Sequence, residues 1–346
     1  GNEETYYYKI THCNADWSVS SLMKSEYLKG IDNQPIQPES NSYGTLQSYS
    51  HYRLTFPNEL TQLTLSGNYI LSITDSYGTE LFSRRFVVYT PQVNVPAEVK
   101  RARDLKYYDT QQVVQFTINQ KDFRLDNPQV AVKVAILQNY RWDTAITGLK
   151  PQYIIGNELV YRYDRETAFW AGNEYFYFDS KDIRVAASGI ARFTRDRLVG
   201  SYLFTNVSRA NSVYTYYPDI NGDFLITTVN GANPANEADY TQVHFALEGK
   251  STFWGKEVYV YGKFSNYELR DEYKLTYDEK DGLFKGQVLL KQGFYNYKFA
   301  TKEGRTIDFN EIGGNFYQTE NTYIILVYYR APGTLYDEVV GVGATK

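Results

Sequence analysis

The dominant hydrophobic period along this chain is two, the signature of strands with one face turned inward. In Gln112 to Ile118 the side chains of Val114, Phe116 and Ile118 share a face, and in Gln129 to Leu137 those of Val130, Val132, Val134 and Ile136 do the same. Both segments predict half-buried strands, and the β-branched and aromatic residues that fill them fit a pleated surface better than a helix. Helical periodicity is nearly absent. The expected fold class is therefore all-β, a multidomain array of antiparallel β-sandwiches.

Turn residues punctuate the C-terminal third most clearly. Glu257 to Phe264 alternates Val258 and Val260 against Tyr259 and Tyr261, Tyr273 to Tyr277 follows, and Asp281-Gly282 marks a hairpin turn into Leu283 to Leu290. Lys291-Gln292-Gly293 then turns the chain into Phe294 to Ala300, where Tyr295, Tyr297 and Phe299 share a face, and a last strand is expected over Thr322 to Arg330. Short strands with turn residues between them suggest a sandwich rather than a parallel sheet. Upstream, Pro91 to Pro96 reads as an extended connector, and the polar stretch Asn230 to Asn236 as a second linker. Three β modules follow, over residues 1–91, 92–238 and 239–346.

Composition narrows the function classes. The chain of 346 residues carries 35 Tyr, 19 Phe and four Trp, which argues against disorder and supplies side chains enriched in protein interfaces. Cores built from Tyr and Phe account for that load equally well. Lys and Arg number 36 against 40 Asp and Glu, a net charge of −4, so a broad basic face for nucleic acid is not expected. Cys13 is the single cysteine, and His12, His51 and His244 are too dispersed to form a zinc quartet with it. No apolar run reaches the length of a spanning helix. The chain opens at Gly1 without a basic and then apolar leader, so any signal peptide is expected to have been removed or never present.

Motifs for catalysis are missing from the sequence: there is no Gly-x-Ser-x-Gly elbow, Walker loop or dinucleotide fingerprint. Cys13 neighbours His12, but strand neighbours point to opposite faces, so Cys13 is expected to be a buried packing residue. Asp219, Asn221 and Asp223 have the opening spacing of a calcium loop, yet position six is Phe224 and position twelve Asn230, so a tight turn with local backbone bonds is the favoured reading and calcium the alternative. Glu174 and Asp179 are a nominal carboxylate pair that a strand would split between faces. Trp254 and Tyr267 are candidates for stacking on a sugar, weighed against tyrosines that simply cover a sandwich face. No catalytic residue and no cofactor is expected, and the sequence assigns no partner-binding residue.

Several stretches together resemble the plug protein family of the type IX secretion system of Bacteroidota. They are Tyr8 to Trp17 (YKITHCNADW), Ser66 to Tyr69 (SGNY), Arg84 to Val88 (RRFVV), Gln138 to Asp143 (QNYRWD), Gly172 to Tyr175 (GNEY), Asp219 to Phe224 (DINGDF) and Leu289 to Tyr297 (LLKQGFYNY). The resemblance spans nearly the whole chain and implies a non-enzymatic protein of the periplasm, peripherally associated with the outer membrane. Such a protein would bind and occlude the periplasmic opening of the giant outer-membrane translocon barrel (SprA/Sov). The family carries β segments ahead of the region around Thr5, so the first sandwich can lack an upstream strand. The C-terminal module separately resembles early-set Ig-like domains, including glycogen-binding modules, over Val258 to Tyr267 (VYVYGKFSNY). That second resemblance implies carbohydrate binding or another cell-envelope interaction as the alternative function.

Overall fold

The computed structural model describes residues 3–120, 122–186, 188–229 and 231–345. The chain is all-β: strands dominate, and the α-helical segments are single turns such as Lys24–Tyr27, Pro128–Ala131 and Pro234–Glu237. Asn230, assigned to both the calcium-loop comparison and the second linker, lies outside the described residues.

The first module is a four-stranded antiparallel sheet in the order Pro35–Ile36, Tyr6–Cys13, Gly67–Thr74, Glu80–Val88. Alternation on Tyr6–Cys13 sends Tyr8, Ile10 and His12 to one side, where Tyr8 and Ile10 pack with Tyr69, Ile73, Tyr27 and Leu28. The second module sets a sheet of Tyr153–Ile155, Glu158–Tyr161, Gln111–Asn119 and Ala168–Trp170, with Ala97–Arg101 added, against a sheet of Arg141–Thr147, Val132–Gln138, Tyr323–Tyr329 and Glu338–Ala344. Their shared core joins Val114, Phe116 and Ile118 to Val132, Val134, Ile136, Ile325 and Val327. The third module is a ten-stranded sheet drawn from residues 176 to 308, in which Val243, Phe245, Leu247, Tyr295, Tyr297 and Phe299 line the core.

Three expectations change. Val130 is 68% exposed rather than inward, because Asn127 adopts a left-handed conformation and Pro128 opens a helical turn that delays the strand to Val132. The division at residues 238 and 239 cuts through one sheet, since Val199–Leu203 pairs in parallel with Tyr240–Glu248. The strand expected over Thr322 to Arg330 exists as Tyr323–Tyr329, but it pairs with Val132–Gln138 and belongs to the second module. The third module is thus inserted into the second, and the chain crosses between them twice, near residues 171–174 and 319–322. Tyr323–Tyr329 is buried on both faces: its odd residues enter the sandwich core, while Ile324, Leu326 and Tyr328 pack outward beside Ala15 and Val87 of the first module.

The accessible surface of 18451 Å² exceeds the roughly 14,400 Å² of a single compact globule of this mass and approaches the roughly 19,400 Å² of three separate bodies sharing it. The modules are distinct lobes, joined at limited but specific contacts.

Candidate functional site

Five charged residues that the fold buries, Arg141, Glu174, Asp239, Lys298 and Asp337, lie where modules meet. At the first joint, Asp337 is fully buried and accepts hydrogen bonds from Lys133 Nζ (2.9 Å), Arg330 Nε (2.9 Å) and the main-chain N–H of Ala15 (3.0 Å). Burial alone would raise its pKa, but these donors outweigh it and hold the carboxyl below its ordinary value. Beside it the Tyr328 hydroxyl donates to Asn68 Oδ1 (2.8 Å), Arg330 donates to Asn14 Oδ1 (2.8 Å), and Trp17 meets Trp142 edge to face at 4.7 Å.

The second joint is built around Arg141. Its strand carries Asp143 two residues on, on the same face, so the guanidinium is gripped in bidentate fashion (3.0 and 2.5 Å). It projects into an aromatic cage of the third module, with Phe309, Tyr267 and Tyr261 centroids at 4.7, 5.1 and 5.4 Å. Next to the cage Lys298 is buried over the Tyr175 ring at 4.0 Å. Desolvation, aided by the charges of Arg141 and Arg209 and opposed by Asp219 and Glu174, pulls its pKa down to about 7. Buried Glu174 ties the two chain crossings together, accepting from the Tyr214 hydroxyl (2.6 Å) and the Glu320 N–H (3.2 Å), and burial raises its pKa. Gln112 and Asn321 complete the seam: Gln112 Nε2 donates to the Tyr317 and Thr319 carbonyls, and Asn321 Nδ2 to Gln112 Oε1 and the Ala171 carbonyl.

A third contact closes the triangle. The arm formed by Pro38–Asn41 and Ser50–Tyr52 leaves the first module and lies on the third. There the N–H groups of Leu46 and Gln47 donate to Asp239 (2.7 and 3.2 Å), Tyr49 donates to the Ala238 carbonyl (2.7 Å), and Lys291 sits 3.8 Å over the Tyr49 ring.

The residues singled out in the sequence fall as follows. Cys13 and His12 are both buried; the His12 ring nitrogens face Ser20 Oγ (3.0 Å) and the Ser66 carbonyl (3.2 Å). Asp219 accepts from the N–H of Tyr175 and of Asn221, while Asp223 accepts from the Phe224 N–H and pairs with Lys263. With Asn221 and Gly222 at positive φ, this is the locally bonded turn. Among the described residues no group of three or more His, Cys, Asp or Glu side chains is placed to hold a metal ion. Glu174 and Asp179 are not brought together, since Asp179 turns to Lys181. Trp254 is 64% exposed, but Tyr267 is taken up by the Arg141 cage. The two flank opposite ends of Glu257–Tyr261, about 16 Å of strand, so they do not form one platform. Arg141, Lys298 and Asp337 are not singled out by the sequence, and Glu174 is reached there only as a nominal partner of Asp179; the local signal among them is the Arg141/Asp143 pair at strand spacing.

The chain is thus an all-β protein of three lobes joined by hydrogen bonds to buried charged groups and by cation–π and aromatic contacts. Residues 1–90 match the family model described as type 9 secretion system plug protein 1st domain, a match that supports the type IX secretion plug family for this chain. A crystal structure of a hypothetical protein from Parabacteroides merdae ATCC 43184 is similar across 99% of this chain and 88% of its own, at 34% identity and a TM-score of 0.95. No curated protein matches the chain.

Proposed function

We propose that the protein is a non-enzymatic plug of the periplasm that binds and occludes the periplasmic opening of the outer-membrane translocon barrel of the type IX secretion system. The observation that carries the reading is the plug-domain match over residues 1–90. It is supported by the closed triangle of inter-module contacts, because a body that must block an aqueous opening has to resist deformation. That no helix among the described residues is long and apolar enough to cross a membrane fits a peripheral association. The test is a mild-detergent pull-down of the tagged protein from its native outer membrane with mass spectrometry of what accompanies it. Recovery of one very large barrel protein is the expected result; recovery of no barrel would overturn the reading.

A further inference from the structure

Within the plug domain, Glu80–Val88 is the longest strand at a sheet edge among the described residues, and nothing described covers it. Its free main-chain groups follow from the ladder. Tyr8 and Ile10 turn their main chains away from Gly67–Thr74, to the Asn33 N–H and the Asp32 carboxylate, and the His12 carbonyl accepts from Ser20. By antiparallel alternation Tyr69, Leu71 and Ile73 therefore bond Phe86, Arg84 and Phe82. The N–H and C=O of Ser83, Arg85 and Val87 are left pointing off the sheet. Only the Arg84 guanidinium reaches one of them, the Ser83 carbonyl at 2.8 Å.

The Glu338–Ala344 edge is covered by residues 91–95, where Gln92 and Val93 donate to the Val340 carbonyl. Ile190–Arg195 is shorter and carries a register shift at its start. The shift in Glu80–Val88 is confined to Leu81, ahead of the regular stretch Phe82 to Val88, and the strand presents Leu81 and Phe82, 50% and 47% exposed, beside a 94% exposed Tyr77. Arg84 and Arg85 lie over the Phe82 and Trp17 rings at 5.0 and 4.6 Å, and neither pairs with a carboxylate among the described residues. Exposed aromatics with pre-positioned, unneutralised arginines are the composition of an interface centre.

We infer that this edge is where an extended, acidic β segment of the protein's envelope partner adds as a fifth strand. Main-chain bonds to Ser83, Arg85 and Val87 would give affinity, and carboxylates facing Arg84 and Arg85 would set register. The inference rests on the plug reading and names the surface that reading lacks.

The test repeats the outer-membrane pull-down with two variants and adds hydrogen exchange on the captured complex. Arg85→Pro removes an N–H that has no internal partner, so the sheet keeps its own ladder while an added strand is blocked. Arg84→Glu/Arg85→Glu leaves the main chain untouched and reverses the charge. Each is expected to lower barrel recovery at least tenfold with an unchanged circular dichroism spectrum, and the Ser83, Arg85 and Val87 amides are expected to exchange more slowly in the wild-type complex. Equal recovery by wild type and both variants, or unchanged exchange at those amides, overturns the edge assignment and leaves the plug reading standing; in that case the arginines merely guard the edge against aggregation. Failure of the wild type itself to recover a barrel overturns both.

Discussion

Replacing Asp337 by alanine removes the buried carboxylate at the joint between the first two modules, and the cost can be worked from its contacts. Three donors lose their acceptor: Lys133, Arg330 and the Ala15 N–H. A hydrogen bond to a charged group contributes about 1.5–3 kcal/mol. Lys133 and Arg330 remain 42% and 38% exposed, however, so water replaces much of what they lose and their share is discounted. The Ala15 N–H, held in the joint, has less recourse. The expected destabilisation is about 3 kcal/mol, at the lower end of the roughly 3–5 kcal/mol of a fully buried broken pair. Asp337→Asn keeps the size and one acceptor oxygen and should cost about 2 kcal/mol.

The assay is urea unfolding followed by tryptophan fluorescence, because Trp17 and Trp142 meet at this same joint. The pH dependence gives an independent check. A carboxyl whose pKa is lowered in the folded protein contributes stability that is present above the unfolded value near 4 and lost as pH falls through the folded value. The gap between wild type and Asp337→Asn should therefore be constant from pH 8 to 5 and narrow below pH 4. A loss under 0.5 kcal/mol at pH 7, or a gap that persists unchanged at pH 3, would refute the account of the joint.

Lys298 has a lowered pKa, so the folded chain releases its proton near pH 7 whereas the unfolded chain holds it to about pH 10.4. The sign follows: stability rises with pH from 7 to 9, and Lys298→Met should stabilise the protein at pH 7 and flatten that rise in urea midpoints. Gly67 has φ +149° and an added Cβ would lie 2.2 Å from His12 Nε2, so Gly67→Ala should cost about 2–4 kcal/mol. Adding His12→Ala should return part of that loss, and a strictly additive pair in thermal melts would show that the imidazole is not the obstacle. Millimolar calcium should leave the melting temperature unchanged, since Asp219 and Asp223 are already bonded to main-chain N–H groups and Lys263; a rise of several degrees would restore the cation reading.

Period-two alternation located strands with a buried face: Val114, Phe116 and Ile118 alternate inward, as do Tyr295, Tyr297 and Phe299. It said nothing about which strands pair across a long insertion. Tyr323–Tyr329 reads as a strand because all seven residues are apolar, and that same uniformity hides that its two faces serve different clusters. The buried charges were hidden by the same rule. Lys298 stands between Tyr297 and Phe299 on the face that alternation assigns to solvent, and only the fold lays Tyr175 across it. Arg141 follows a turn in which Asn139 and Tyr140 take positive φ, a conformation that residue type alone did not announce.

The insertion bears on how a plug of this build would leave a barrel. A module tethered by one linker pivots about it, but here two adjacent crossings are stitched by Glu174, Gln112 and Asn321, and the arm bonded to Asp239 removes the remaining swing. Release by bending one lobe would have to break the hydrogen bonds and cation–π contacts buried at the joints, whereas release of the whole body breaks only the contacts at its docking edge. The two routes separate experimentally. If the body leaves as a unit, Asp337→Ala lowers the unfolding midpoint and leaves barrel capture intact, while Arg85→Pro lowers capture and leaves the midpoint intact. Loss of capture in Asp337→Ala at a temperature where its circular dichroism is native would mean that the joint itself takes part in binding, and the rigid-body argument would fail.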